Sequence, residues 1–344
     1  MPNLWAVNID PVEEAMKNYS AIMEFIVELL KVREVDETIA YELANFPGAT
    51  GISSLLKAQT YAAKGSFDVI VMDMVPSGEA LRLLYLPYIL SRFSRRMMKV
   101  MAPVAQMGRM LRPLTGVPMP SKEVVDRQAE LLDRLDKVRD MLLDFSTSSL
   151  RLVMNPDTFS IMNAKRTYMQ SSIFGVNTDL AIVNKIIPPE VKDPYLSRLK
   201  DVQHASVDQV EKDFDPLPVK KLRLYPEELK GMDGLKRAAG ELYGEEDPTQ
   251  VYSRGRPLEV VHSGKNLELV LTATFPRRED VQVERIGDEL IVRVESDVGT
   301  VNVLLPLPAV AFQRTLKEAR LVKGRLHVVF GDQDARPPGT EEEH

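Results

Sequence analysis

The residues best suited to chemistry in this 344-residue chain lie together at Asp73-Met74-Val75-Pro76-Ser77-Gly78. They follow directly on Phe67-Asp68-Val69-Ile70-Val71-Met72, an apolar run with the length and β-branched content of a parallel strand buried on both faces. An acid at the carboxyl end of such a strand lies in the crevice where open α/β sheets bind ligands. Gly78 supplies the backbone freedom that a tight turn beside Ser77 needs. The competing reading is an ordinary strand-to-helix turn in which backbone N–H groups satisfy Asp73.

A second candidate region runs from 88 to 122. It carries seven basic residues (Arg92, Arg95, Arg96, Lys99, Arg109, Arg112 and Lys122) and no acid. Between them Phe93, Met97, Met101, Met107 and Leu111 recur close to a 3-to-4 period, which predicts a pair of basic amphipathic helices broken near Pro103 and Pro113. Methionines pack against varied partners, so the stretch reads either as a groove for an apolar helix or an acidic membrane surface, or as core with a solvated charged face.

Composition narrows the classes. A net charge of -6 disfavours general nucleic-acid binding, and the absence of cysteine excludes disulfides, thiolate metal sites and a cysteine nucleophile. No metal site is expected. Neither a secretory leader pattern nor a run of about 18 apolar residues occurs, so the expectation is a cytoplasmic protein with no membrane span.

The elements that must position these residues follow from periodicity. Helices are predicted from Asp10-Pro11, from Asp36 to Pro47-Gly48, and over 52–64 with Gly65 as the closing residue. Beyond the 67–73 strand, the pattern gives a strand over 150–154, a helix opened by Asn155-Pro156 and closed at Gly175, and a strand over 178–184. A helix over 194–214, a strand over 219–224 and a helix over 226–243 follow. Such alternation predicts a parallel α/β sheet with flanking helices. The polar stretch 244–256 reads as a linker. After it the period changes to two, with strands over 258–262, 267–273, 281–284, 289–294, 299–305 and 325–330, an all-β sandwich. The expected domains are therefore 1–243, with a helical insertion about 88–145, and 257–331, followed by a disordered acidic tail, 332–344.

The string from Asp73 through Pro76-Ser77-Gly78 to Glu79-Ala80-Leu81 resembles the switch II segment of the ArsA and tail-anchored-protein-targeting ATPases. The resemblance implies that Asp73 orients water around a magnesium-bound nucleotide and that Ser77 and Gly78 sense the γ-phosphate. It continues through Arg151-Leu152-Val153-Met154-Asn155-Pro156-Asp157 and Asp179-Leu180-Ala181-Ile182-Val183-Asn184, where Asn184 matches the family's adenine-contacting asparagine. Phe214-Asp215-Pro216-Leu217-Pro218-Val219, followed by Leu224-Tyr225-Pro226-Glu227-Glu228-Leu229-Lys230-Gly231, resembles the loop that covers the base and assigns Pro216, Leu217 and Pro218 to the adenine side. The helical insertion after switch II holds hydrophobic client segments in that family, which assigns Phe93, Met97, Met101, Met107 and Leu111 to client binding.

The glycine-rich phosphate loop of that family is absent from these residues. Gly264-Lys265-Asn266 has Glu259 where such a loop needs glycine and Asn266 where it needs serine or threonine, and it falls in the β-rich region. The opening residues resemble an internal part of the family. A shortened gene model, a split protein completed by a second polypeptide carrying the phosphate loop, and a non-hydrolysing descendant compete as explanations. The β-rich segment resembles the α-crystallin fold of small heat-shock proteins, without an Ile-x-Ile tail. By resemblance the expected function is a carrier or chaperone that uses ATP and Mg2+, with a hydrophobic segment or membrane-protein precursor as client and a homodimer as a plausible state. The alternative is a non-hydrolysing holdase or interaction subunit.

Overall fold

The computed structural model describes residues 3–10, 49–74, 122–255, 258–264, 266–272, 281–287, 289–295, 300–307, 309–322 and 325–332. The chain divides into two compact units, Met1–Asp144 and Phe145–His344. In the first unit, helices α1 (Ala49–Lys64) and α2 (Lys122–Leu143) bury Leu55 and Leu56 among Leu132, Leu135 and Val138. The α2 contacts recur at three-residue steps, the signature of one buried stripe on an otherwise charged helix. Gly65 closes α1 at φ 59°, a left-handed position that a side chain would strain, and its N–H reaches Ala62 O at 3.0 Å.

The expected 67–73 strand does not form. The run after Gly65 has no ladder, and Val69, Ile70 and Val71 are 50%, 38% and 87% exposed. β-branched composition favours an extended chain, but a strand exists only when a neighbour accepts its N–H and C=O groups and both faces are covered. No strand among the described residues does this for 67–73. The helices expected from Asp10 and Asp36, together with residues 88–121 of the expected basic pair, lie outside the described residues.

In the second unit a parallel sheet has the order β1-β2-β3, built from β1 (Leu150–Met154), β2 (Thr178–Ile186) and β3 (Val219–Arg223). Helices α3 (Thr158–Ile173) and α4 (Pro194–Asp213) form the crossovers, and α5 (Gly231–Tyr243) follows β3. Successive right-handed crossovers in one direction put α3 and α4 on the same face. There Leu152, Met154, Ala181 and Val183 pack with Ala164, Val207, Val210 and Phe214. The start of α3 differs slightly from expectation, while α4 starts at Pro194 as expected. Asp157, not Asn155, caps α3 by accepting Ser160 N–H at 2.9 Å, while Asp193 caps α4 ahead of Pro194. α5 begins at Gly231, five residues after Pro226, because the intervening residues are spent on contacts described below.

The antiparallel part forms two sheets, β4-β5-β10-β9 and β6-β7-β8. Their strands are β4 (Leu258–Ser263), β5 (Asn266–Thr272), β6 (Val281–Ile286), β7 (Glu289–Val294), β8 (Val301–Pro306), β9 (Arg314–Val322) and β10 (Arg325–Asp332). Alternate residues of β5, β7 and β10, among them Leu267, Leu269, Leu290, Val292, Leu326 and Phe330, meet in one core, as period-two patterning requires. β9 escaped the sequence reading because a register shift at Val329/Phe330 opposes two residues of β10 with three of β9, which breaks the alternation. β10 runs on through Gly331 and Asp332, where the tail was expected to begin. Met169 of α3 enters the same core, and Phe174 packs against it.

Residues 244–255 of the expected linker lie inside the second unit and are tied to the sheet. Arg151 donates through Nη1 to Pro248 O at 2.6 Å and through Nη2 to Gln250 O at 2.9 Å, while Asn177 donates to Ser253 O at 3.0 Å. Arg151 also pairs with the fully buried Asp179, which accepts Tyr252 N–H at 3.2 Å. Burial works against the Arg151 charge, but the hydrogen bond and the charge of Asp179 prevail and raise its pKa. Lys220 caps this corner, lying over the stacked rings of Tyr243 and Tyr252. Replacing Arg151 by alanine leaves a buried carboxylate without its cation, so Arg151→Ala should cost about 3 kcal/mol in urea unfolding. An effect as small as an exposed ion pair's would show that the Asp179 charge is compensated elsewhere.

Candidate functional site

The carboxyl edge of the parallel sheet collects the end of β2, the loop after β3 and the first turns of α3 and α4. Asn184 and Lys185 stand at the end of β2. Val183 pairs with Lys221 and the next ladder position joins Ile186 to Arg223, so two β2 residues oppose Leu222 alone. This bulge puts Lys185 at φ 60°, and Asn184 Oδ1 accepts Lys185 N–H at 2.9 Å. A backbone N–H at that distance needs an acceptor, which makes Oδ1 the atom facing Lys185 and leaves the NH2 to donate elsewhere. The segment beyond is held by α4: Gln203 accepts Ile187 N–H at 3.0 Å, and Lys200 donates to Pro189 O and Val191 O.

Beside the bulge, Leu224 N–H donates to Ile186 O at 2.7 Å and starts the loop that runs to Lys230. Tyr225 sits between the guanidinium groups of Arg223 and Arg237, 5.3 and 5.2 Å from its ring centre. Its hydroxyl donates to Glu241 Oε2 at 2.5 Å, Arg223 N–H reaches Glu241 Oε1 at 3.1 Å, and Arg223 Nε pairs with the same carboxylate at 2.8 Å. Arg237 pairs with Glu227 at 2.6 Å. Glu241 thus fastens the loop to α5, and Gly234 allows the approach, since a Cβ there would lie 3.3 Å from the Leu229 backbone. These contacts explain why α5 starts only at Gly231.

The structure places the expected residues unevenly. Asn184 and the 224–230 loop come together at the carboxyl edge. Pro216, Leu217 and Pro218 do not join them: they precede β3, and Pro218 O accepts Ala181 N–H at 3.0 Å. That position is three residues short of Asn184, about 10 Å along the strand, and Leu217 is buried in the helix-covered core. Asp73 is exposed on the unladdered run of the first unit rather than at the end of a strand. Ser77, Gly78, Phe93, Met97, Met101, Met107 and Leu111 lie outside the described residues. Lys185 and Glu241 were not singled out from sequence. A lysine at positive φ leaves no sequence signal, and Glu241 acts on residues sixteen and eighteen positions away.

Burial alone would raise the Glu241 carboxyl, but the bonds from Tyr225 and Arg223 and the Arg223 charge outweigh it and hold the pKa below the ordinary glutamate value. A lowered carboxylate pKa contributes stability that is complete above the unfolded value, about 4.3, and lost as pH falls through the folded one. Acid should therefore release the loop while leaving the sheet intact. In hydrogen exchange corrected for intrinsic rates, Arg223 N–H should lose protection as pH falls below the ordinary glutamate range while Ala181 N–H keeps it; parallel behaviour of the two amides would remove Glu241 as the anchor.

Residues 1–244 match the family described as Anion-transporting ATPase. The chain is 29% identical over 310 residues to the putative arsenical pump-driving ATPase of Prosthecochloris vibrioformis, covering 89% of this chain and 76% of that protein. To the putative arsenical pump-driving ATPase 1 of Aquifex aeolicus it is 29% identical over 297 residues, 85% and 75% of the two chains. To ATPase get3 of Pyrenophora tritici-repentis it is 23% identical over 201 residues, 56% and 58%. The first alignment is too long to end at residue 244, so the likeness to that protein extends into the β-rich segment. Parallel sheet, crossover helices and a match across more than two thirds of the sequence converge: the chain belongs to the anion-transporting ATPase family.

Proposed function

We propose that this protein is a nucleotide-dependent carrier of hydrophobic segments and that the carboxyl edge of β1-β2-β3 is the base side of its nucleotide site. The observation that carries the reading is the pairing of Asn184, on a bulge at the end of β2, with a covering loop fastened by Glu241. Family membership implies binding of ATP and Mg2+ in general. The residues fit the base in one respect: the Asn184 amide donor at the end of β2, beside a fastened loop, can hold the edge of a planar heterocycle. They do not fit the phosphates, because the 344 residues contain no Gly-x-x-x-x-Gly-Lys-Ser/Thr loop. Among the described residues, no three acidic or histidine side chains converge on a metal position. No phosphoryl-transfer step is therefore assigned to the side chains present.

By the same resemblance, Asp73, Ser77 and Gly78 couple the nucleotide to the methionine-bearing stretch, and Phe93, Met97, Met101, Met107 and Leu111 meet the client. A homodimer or a complementing polypeptide with the phosphate loop belongs to this proposal, as does an α-crystallin type for the sandwich at 257–331. Two antiparallel sheets over one core support the last point but are common to many sandwiches. Among the described residues no helix is long and apolar enough to cross a membrane.

Binding through the base alone is weak, so the test is an NMR titration with millimolar adenosine. Amides of Asn184, Lys185 and residues 224–230 should shift together, and Asn184→Ala should weaken binding roughly fivefold, the worth of one hydrogen bond of about 1 kcal/mol. Shifts confined to other parts of the chain, or none, would end the base-side reading.

A further inference from the structure

Among the described residues, Lys185 is the non-glycine residue with a positive φ. Glycine adopts that conformation freely and asparagine tolerates it, but a lysine there is strained and persists only where its surroundings over-determine it. The surroundings do so here. Asn184 Oδ1 caps the Lys185 N–H, and the ladder resumes at once, with Ile186 beside Arg223 and Leu224 N–H on Ile186 O. The bulge is thus an interruption within a paired strand and not a frayed end.

Two consequences follow for the side chains. In a regular strand Asn184 and Lys185 would point to opposite faces; the bulge opposes both to Leu222 alone and so interrupts that alternation. The neighbouring cations are also already engaged: Arg223 with Glu241, Arg237 with Glu227, Lys230 with Glu228, and Lys200 with two carbonyl groups. Lys185 is exposed and its ammonium makes no such contact among the described residues.

We propose that Lys185 is a ligand-contacting residue whose cationic side chain lies over the face of the heterocycle that Asn184 holds by its edge. This rests on the base-side reading above. Successive Cα atoms are about 3.8 Å apart, so a residue adjacent to Asn184 is in reach of the same ring, whereas phosphates lie beyond the ribose. A cation over an aromatic face adds a few-fold in affinity and depends on charge and flatness rather than on the ring's hydrogen-bond pattern.

Three variants test this: Lys185→Gly, which removes strain and charge; Lys185→Asn, which tolerates the backbone without the charge; and Lys185→Arg, which keeps the charge. Each is compared with the wild type by thermal melting and by NMR titration with adenosine and with adenosine 5′-monophosphate. Lys185→Gly and Lys185→Asn should melt no lower than the wild type yet bind adenosine about fivefold more weakly, while Lys185→Arg stays within about twofold. Unchanged adenosine binding by Lys185→Asn overturns the proposal. A loss seen with the monophosphate but not with adenosine overturns it too, by moving the contact to the phosphate. A lower melting temperature for Lys185→Gly removes the strain argument on which it stands. Wild-type protein that binds neither ligand is a different failure, that of the base-side reading itself.

Discussion

The constraint on which the second unit depends is the ladder of β2. Residues 178–183 are all buried, and the strand is hydrogen-bonded on both sides, to β1 and to β3. A backbone in that position has no access to water, so each of its polar groups must find a partner in a neighbouring strand. That requirement sets the register of three strands and the face on which α3 and α4 pack. It also brings the ends of the sheet to two different environments. At the amino end the buried Asp179 is matched by Arg151 and the chain near Tyr252; at the carboxyl end the ladder opens for two residues and closes again.

The same sheet supports the β-rich half through a shared helix. One side of α3 supplies Ala164 to the α/β core, while Met169 enters the core between the antiparallel sheets. Arg151 adds a polar counterpart by holding the carbonyl groups of Pro248 and Gln250. A polar stretch rich in turn-forming residues reads as a linker because nothing local orders it. Here its order comes from donors on β1 and β2 that are far away in sequence.

The candidate site was partly legible in the same way. Asn184 and the 224–231 string were singled out because consecutive residues carried them, and the structure brings both to the carboxyl edge of the sheet. Pro216, Leu217 and Pro218 were adjacent in the string but belong to the opposite end of β3, since a five-residue strand carries the chain most of the way across the sheet before the loop begins. Sequence proximity does not say at which end of a strand a residue lies. Glu241 shows the converse, as it reaches Tyr225 and Arg223 only after α5 has folded back.

Sequence alone determined the elements whose cause is local: the buried run of β2, the alternation of β5, β7 and β10, the glycine that ends α1, and the proline that starts α4. Each depends on side-chain period or on the backbone preference of one residue. Only the tertiary structure decided which apolar run becomes a strand. Residues 180–183 and 69–72 look alike in composition, yet the first has neighbours to accept its N–H and C=O groups and the second, among the described residues, has none. Pairing partners, unlike period, are supplied by distant parts of the chain, and so the bulge at Lys185, the strand β9 and the anchor at Glu241 became visible only once those parts were in place.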